Sequence, residues 1–184
     1  MGRSIYKIYD TDYPYYITST IIEWMPLFSI KEIANIIIDS LNYMIKNNRL
    51  EIYGYVIMEN HLHVIAVSDD LPYQLGKFKS FTARKIIDFL TEHHYNGILE
   101  KLEFFKIKHK TDRQHQFWQE GVHPEIISNL EILIQKLKYI HENPIRRGYV
   151  DEDYYWRYSS AVDYSGAKGL VEINKDWYRY DVRY

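Results

Sequence analysis

Two histidines flank a single apolar residue at positions 61 to 63, in the order His61, Leu62, His63. Residues 61–68 (HLHVIAVS) are rich in apolar and β-branched types and predict a strand. Because side chains alternate between the two faces of a strand, both imidazoles should lie on one face and Leu62 on the other. Two adjacent imidazoles can form part of a metal site. A solvated pair of polar residues on a hairpin is the alternative interpretation.

Tyr139 and Asn143 form a second pair near the end of a predicted helix over residues 129–142. Residues four apart lie on one helical face. A tyrosine hydroxyl can attack phosphorus and hold a covalent intermediate, and a divalent cation that polarises the phosphate would assist it. Asn143 offers a carboxamide oxygen, a suitable ligand for Mg²⁺ or Mn²⁺. Alternatively, Asn143 before Pro144 only ends the helix, and Tyr139 is one packing aromatic among 19 tyrosines.

A basic run occupies residues 77–85 (KFKSFTARK), which contain no acidic residue. On a helix, such residues can contact a phosphate backbone, and interleaved aromatic rings can stack on unpaired bases. The alternative is an amphipathic helix with two phenylalanines in the core and a solvated basic face. Arg146 and Arg147 follow Tyr139 closely and could hold a phosphate near it. The candidate DNA-binding residues are Lys77, Lys79, Ser80, Thr82, Arg84, Lys85, Arg146 and Arg147.

The remaining elements are those that must position these side chains. Residues 15–24 and 51–58 predict two further strands, and Glu59-Asn60 is a turn signal that joins the second strand to the strand with the histidines. Helical spacing of apolar residues predicts helices over residues 29–47 and 75–92, the first with Ser29 as its N-cap and Glu32 three residues on. Residues 117–123 predict an edge strand.

This order of elements predicts an α+β domain with a mainly antiparallel sheet and helices on one face, in a ferredoxin-like or palm-like arrangement. The 184 residues suit a single domain, with a core over about residues 13–150 and a tail, 151–184, that packs back on it. Absence of cysteine excludes disulfides and thiolate metal sites. No apolar stretch is long enough for a transmembrane helix, so we expect no membrane association and a cytoplasmic location.

Net charge is −2, which disfavours a uniformly basic nucleic-acid-binding surface but allows local patches. These motifs nevertheless occur together in one family. The sequence resembles the single-tyrosine HUH transposases, named for their His-hydrophobe-His motif, and within them the REP-associated tyrosine transposases. The segments that carry the resemblance are GYVIMENHLHVIAV (54–67), KFKSFTARKI (77–86), FWQEGVHPEII (117–127), KLKYIHENPIRRGYV (136–150) and WRYSSAVDY (156–164).

The resemblance implies an HUH nuclease fold and a metal-dependent endonuclease and strand transferase acting on single-stranded or hairpin DNA. His61 and His63 would bind Mg²⁺ or Mn²⁺, and Tyr139 would form a 5′-phosphotyrosine intermediate. Asn143 stands where insertion-sequence members often have Gln, and would complete the metal site. The resemblance allows either a single chain or a homodimer, and implies association with the nucleoid when the protein acts on DNA.

Two other functions stay open on the sequence alone. A non-catalytic, domesticated DNA- or RNA-binding module on the same fold would bind without metal and form no covalent adduct. A metallohydrolase acting on small phosphates through a metal-bound water would keep its activity in the Tyr139→Phe variant. The tyrosine with a carboxamide four residues on, beside the histidine pair, favours the transposase interpretation over both.

Overall fold

A computed structural model describes residues 12–107, 111, 113–121 and 124–177. Within these residues, four strands form one sheet in the order β2-β3-β1-β4, and all neighbouring strands are antiparallel. The strands are β1 (Tyr15–Thr20), β2 (Glu51–Ile57), β3 (His61–Val67) and β4 (Glu125–Ile126). Because β3 lies between β1 and β2, the sheet has the split arrangement of a ferredoxin-like fold. The predicted antiparallel α+β class is confirmed.

Six helices accompany the sheet in the described part of the chain. They are α1 (Lys31–Lys46), α2 (Leu71–Glu92), α3 (Asn96–Phe104), α4 (Leu130–His141), α5 (Asn143–Arg146) and α6 (Ala161–Tyr164), with short 3₁₀ turns at Ile22–Trp24, Leu27–Ser29 and Asp153–Tyr155. None of the helices that the structure describes has the length and apolar character needed to span a membrane.

The two central strands are buried on both faces, and this determines where the helices lie. Leu62 and Val64 of β3 belong to a core that includes residues of α1 and α2, whereas Ile65 belongs to a second core with Leu137 of α4. Helices therefore cover both faces, with α1 and α2 on one and α4 on the other. Helices α1 and α2 share one face of the sheet, as predicted, whereas α4 lies on the other face. Strands buried on both faces are typical of such sandwiched sheets.

Several element boundaries differ from those predicted. The first strand ends at Thr20 rather than Trp24, because Ile22–Trp24 form a 3₁₀ turn. Ser29 ends the next turn and does not cap α1, whose N-cap is Ile30 without a side-chain hydrogen bond. In the predicted strand 117–123, Trp118 forms only an isolated bridge to Ile21, and residues 122 and 123 lie outside the described residues.

Helix α2 begins at Leu71, four residues earlier than predicted, because the side chain of Asp70 accepts a hydrogen bond from the Tyr73 amide at 3.2 Å. Helix α4 ends at His141, as the following Asn143-Pro144 predicts, but helix α5 starts at once, since proline is tolerated in a first helical turn.

The tail contacts β2 as far as the structure describes it, to residue 177. The Trp156 indole donates a hydrogen bond to the carbonyl of Ile57 at 3.0 Å, and the Ser160 amide donates to the carbonyl of Tyr55 at 3.0 Å. These bonds occupy β2 at the edge of the sheet, where open backbone groups would otherwise face solvent.

Gly54 on β2 lies directly under α4, so it offers a test of this packing. A Cβ there would overlap Leu137 Cδ2 and lie 3.1 Å from Ile140 Cδ1. We expect Gly54→Ala to lower the free energy of unfolding in urea by about 1–3 kcal/mol. Gly76→Ala is the control, because a Cβ at this position meets no atom within 4 Å. Since the substitution also replaces a helical glycine, it should stabilise the protein by about 0.5–1 kcal/mol. Full stability of Gly54→Ala would contradict this packing.

Candidate active site

The two imidazoles lie side by side at the start of β3, on the face that α4 covers. Their ring centroids are 4.6 Å apart, and His61 and His63 are only 6% and 5% exposed. The antiparallel pairing with β1 sets Thr20 opposite His61 and Thr18 opposite His63. The structure therefore brings the two histidines together on one face, as the sequence predicted, but buries them.

Both imidazoles have their Nδ1 atoms engaged by neighbouring side chains. His63 Nδ1 lies 2.8 Å from both the Tyr16 hydroxyl and the Thr18 hydroxyl, and His61 Nδ1 lies 2.6 Å from Asn60 Oδ1. Since an amide oxygen can only accept, this contact places the His61 proton on Nδ1. In both rings Nε2 is the nitrogen left for a ligand. Metal-binding histidines are oriented by this kind of bond through the other ring nitrogen.

Burial keeps both rings neutral. Desolvation, followed by the proximity of His61 and of Lys136, lowers the pKa of His63 to about 3. Burial also lowers the pKa of His61, helped by Arg147 and opposed by Glu59. Coordination of a metal requires the neutral imidazole, so the pair is in the right protonation state at neutral pH.

Tyr139 lies beside this pair, because the other side of its helix is held in the core. Leu133, Leu137 and Ile140 of α4 are buried in the core they share with the sheet. This packing leaves Tyr139 on the flank of the helix, 40% exposed, with its ring centroid 5.9 Å from that of His63. The Tyr139 side chain is therefore close to the imidazoles and also accessible to solvent.

Asn143 follows one helical turn after Tyr139. Glu142 between α4 and α5 keeps helical dihedral angles, so the two residues remain on one side. The carboxamide nitrogen of Asn143 donates to the Tyr139 carbonyl at 2.9 Å. This bond leaves the carboxamide oxygen as the atom available to a cation. No three His, Cys, Asp or Glu side chains within the described ranges cluster as a metal site, so a site here would need the amide as its third donor.

Two positively charged groups, each paired with a glutamate, lie near the tyrosine and the histidines. The Arg146 guanidinium lies 4.8 Å from the Tyr139 ring centroid and bonds to Glu142 at 2.5 Å. The Lys136 ammonium lies 4.7 Å from the Tyr16 ring centroid and bonds to Glu125 at 2.5 Å. Lys136 was not among the predicted residues, and its charge contributes to the lowered pKa of His63.

The basic run on α2 lies on the opposite face of the sheet from the histidines. Thr82 is fully buried there, donates to the Phe78 carbonyl at 2.8 Å and accepts from the Trp118 indole at 3.1 Å, so its predicted role as a donor to DNA was wrong. Lys79 is half-buried above the Trp118 ring, and burial lowers its pKa to about 8. The exposed residues of the run are Lys77, Ser80, Phe81, Arg84 and Lys85.

Sequence reasoning missed the side chains that hold the imidazoles. Tyr16 and Thr18 alternate along β1, and Asn60 occupies the turn before His61. No motif distinguishes them from other polar residues in strands and turns, since only the pairing of β1 with β3 brings them to the histidines.

The fold resembles that of solved structures. A REP-associated tyrosine transposase, whose structure was determined bound to a REP hairpin, superposes with a TM-score of 0.64 over 94% of this chain and 93% of that chain, at 17% sequence identity. The chain has the fold of a REP-associated tyrosine transposase. The resemblance predicted from the sequence is thus confirmed at the level of the fold.

A candidate transposase from Deinococcus radiodurans R1 also superposes, with a TM-score of 0.44 and 16% identity over 77% of this chain and 97% of that chain. No protein-family profile and no curated protein matches the sequence.

His141 is a buried titratable group next to the site, and it predicts how stability depends on pH. Its Nε2 lies 2.8 Å from the Ser160 hydroxyl, and burial lowers its pKa to about 4. A depressed histidine pKa means that protonation favours the unfolded chain, so stability falls as pH drops below about 6.5, the unfolded value, towards 4. Between pH 7.5 and 5 this one group should cost about 2 kcal/mol.

Chemical denaturation of wild type and His141→Phe at the two pH values would measure this cost. The variant should lose less stability than wild type on acidification, because it has no imidazole to protonate at this position. The exposed His94→Gln variant should lose as much as wild type. Equal losses in wild type and His141→Phe would contradict the prediction.

Proposed function

We propose that the chain is a transposase-type, metal-dependent endonuclease and strand transferase for single-stranded DNA, with Tyr139 as its nucleophile. The observation that carries the proposal is the partly exposed Tyr139 ring, 5.9 Å from one of two buried, neutral imidazoles whose Nε2 atoms are left for a ligand. The fold shared with a REP-associated tyrosine transposase supports it.

His61, His63 and Asn143 are the residues that would hold a divalent ion, Mg²⁺ or Mn²⁺. Two imidazole nitrogens and a carboxamide oxygen form a mixed donor set, and the engaged Nδ1 atoms leave Nε2 for coordination. Such an ion would withdraw negative charge from the scissile phosphate.

The chain's own residues would carry the reaction. The Tyr139 oxygen attacks phosphorus, a phosphorus–oxygen bond to tyrosine forms, and the bond to the 3′ oxygen of the upstream strand breaks. The phenolic proton is lost and the 3′ oxygen gains one, so the products are a 5′-phosphotyrosine and a 3′-hydroxyl. Attack by a 3′-hydroxyl from a second DNA end reverses each of these steps. One ester replaces another in each direction, so no external energy source is needed.

Cations near the tyrosine would hold the DNA. Arg146, Arg147 and Lys136 lie on the site face and would contact phosphates beside the scissile one. The exposed α2 residues Lys77, Ser80, Arg84 and Lys85, with the half-buried Lys79, would contact DNA that extends behind the sheet. The substrate would be a single strand or a hairpin, and the structural relative is bound to a REP hairpin.

Covalent trapping tests the proposal. The protein is mixed with a pool of labelled single-stranded hairpin DNAs and Mn²⁺, and the products are separated on a denaturing gel. We expect a protein-linked band from wild type that disappears with EDTA and with Tyr139→Phe, which removes only the hydroxyl. Tyr139→Phe should keep its affinity for the DNA.

Tyr43→Phe is the matched control, since Tyr43 is 55% exposed on α1, on the other face of the sheet. It should form the band as wild type does. An adduct that persists in Tyr139→Phe would contradict the assignment of the nucleophile. Binding without any adduct across the pool would favour the non-catalytic module instead.

The hydroxyl of Thr18 gives a separate prediction about the metal. Thr18→Val keeps the shape of the side chain but removes one of the two groups that orient His63. We expect a loss of Mn²⁺ affinity of about 10-fold or more, measured by calorimetric titration. Thr91→Val removes a hydroxyl that bonds only within α2 and should leave the affinity unchanged. Wild-type affinity in Thr18→Val would count against His63 as a ligand.

A further inference from the structure

Trp24 is an exposed indole directly beside the histidine pair. The residue is 54% exposed, and its ring centroid lies 5.9 Å from that of His61, with the ring planes at 69°. Tryptophan is usually well buried, because its large apolar surface gains most from leaving water. An indole left half in solvent at this position has its free surface available to a ligand of the site.

The backbone at this residue is in a conformation that side chains rarely adopt. Glu23 and Trp24 both have φ of 53°, in the left-handed region that favours glycine. Strain of this kind persists only where the surrounding structure imposes it, and it is concentrated at functional sites. The chain uses two non-glycine residues here, although glycine would fit without strain.

Buried neighbours on both sides hold the turn in place. Ile21 precedes it and Phe28 follows it, and both are buried. The Ile21 amide donates to the Asn60 carbonyl at 2.9 Å, and the Phe28 amide donates to the Glu59 carbonyl at 2.9 Å. Glu59 and Asn60 form the turn that leads into His61, so the position of Trp24 is fixed relative to the candidate metal ligands.

Trp24 and Tyr139 lie beside different members of the histidine pair. Tyr139 contacts His63, whereas Trp24 contacts His61. A strand whose scissile phosphate lay at the imidazoles would have the nucleophile beside one histidine and the indole beside the other. The nucleotide next to that phosphate would then have an aromatic surface within reach.

We propose that Trp24 is a stacking platform for an unpaired base of the single-stranded DNA, adjacent to the scissile phosphate. This inference rests on the proposed function. Stacking on an indole tolerates any base, because every base has a π-face, so Trp24 would position the strand rather than read its sequence. Trp24 is a positioning residue, since it would hold the nucleotide and not take part in bond exchange.

The test uses Trp24→Gly in the full chain with Tyr139→Phe, which prevents cleavage during binding. Glycine removes the ring but accepts the left-handed backbone, so the melting temperature should stay equal or rise. Affinity for the hairpin DNA with a single-stranded flank should fall about tenfold or more. Trp24→Phe should retain most of the affinity, and the similarly exposed Tyr43→Ala should retain all of it.

Abasic substitution identifies the stacked base. Each base of the flank is removed in turn, and binding is measured with and without the indole. One position should weaken binding to the Trp24 protein, yet have no further effect in Trp24→Gly, because the two changes remove the same interaction. Additive losses at every position, or unchanged affinity in Trp24→Gly, would overturn the inference.

The two proposals fail in different ways. If wild type forms the covalent adduct while abasic sites and Trp24→Gly show no coupling, the nuclease function stands and the stacking role is wrong. If no form of the protein binds the DNA, both are wrong, and an exposed indole in a fixed turn would then be better explained as a protein contact.

Discussion

The antiparallel pairing of β1 with β3 is the constraint on which the site depends. The register of this pairing places Thr18 opposite His63. The hydroxyls of Thr18 and Tyr16 both lie 2.8 Å from Nδ1 of His63 and hold its imidazole. A slip by one residue would turn these side chains to the other face. The extensive burial of both strands specifies the register strongly, so the same packing that stabilises the domain also sets the geometry of the histidines.

Helix α4 positions the second half of the candidate site, and here too the packing of the core sets the geometry. Its apolar side is buried against Ile65 and Tyr53, while its flank carries Tyr139 to the imidazoles. Burial of polar imidazoles costs free energy unless their polar atoms are bonded. Here each Nδ1 has a side-chain partner. These bonds offset part of the free-energy cost of burying the two rings.

Local signals predicted much of the fold. The β2–β3 hairpin and helices α1, α2 and α4 follow from apolar periodicity and from one turn signal, because these elements are determined by residues close in sequence. The overextension of the first strand to Trp24 shows where such signals fail. Ile21 and Ile22 continue an apolar, β-branched run, and nothing in the sequence marks the left-handed turn that follows.

The placement of the histidine pair on one strand face could be predicted from the alternation of side chains along a strand, whereas the role proposed for Tyr139 came from the family resemblance. The residues that hold the imidazoles could not be predicted, since Tyr16 lies 47 residues from His63 and meets it only through the sheet. Thr82 was misjudged for a related reason. A threonine can satisfy its hydroxyl on the carbonyl four residues earlier and then point into a core, so a hydroxyl within a basic run need not face solvent.

The most direct test of the nucleophile is to locate the linkage within the chain. A covalent complex formed with hairpin DNA can be digested with nuclease and then with trypsin, and its peptides analysed by mass spectrometry. The peptide of residues 139–146, YIHENPIR, contains Tyr139 and no other tyrosine. The proposed mechanism predicts a nucleotide attached to this peptide through its 5′ phosphate. A nucleotide on any peptide that lacks Tyr139 would contradict it.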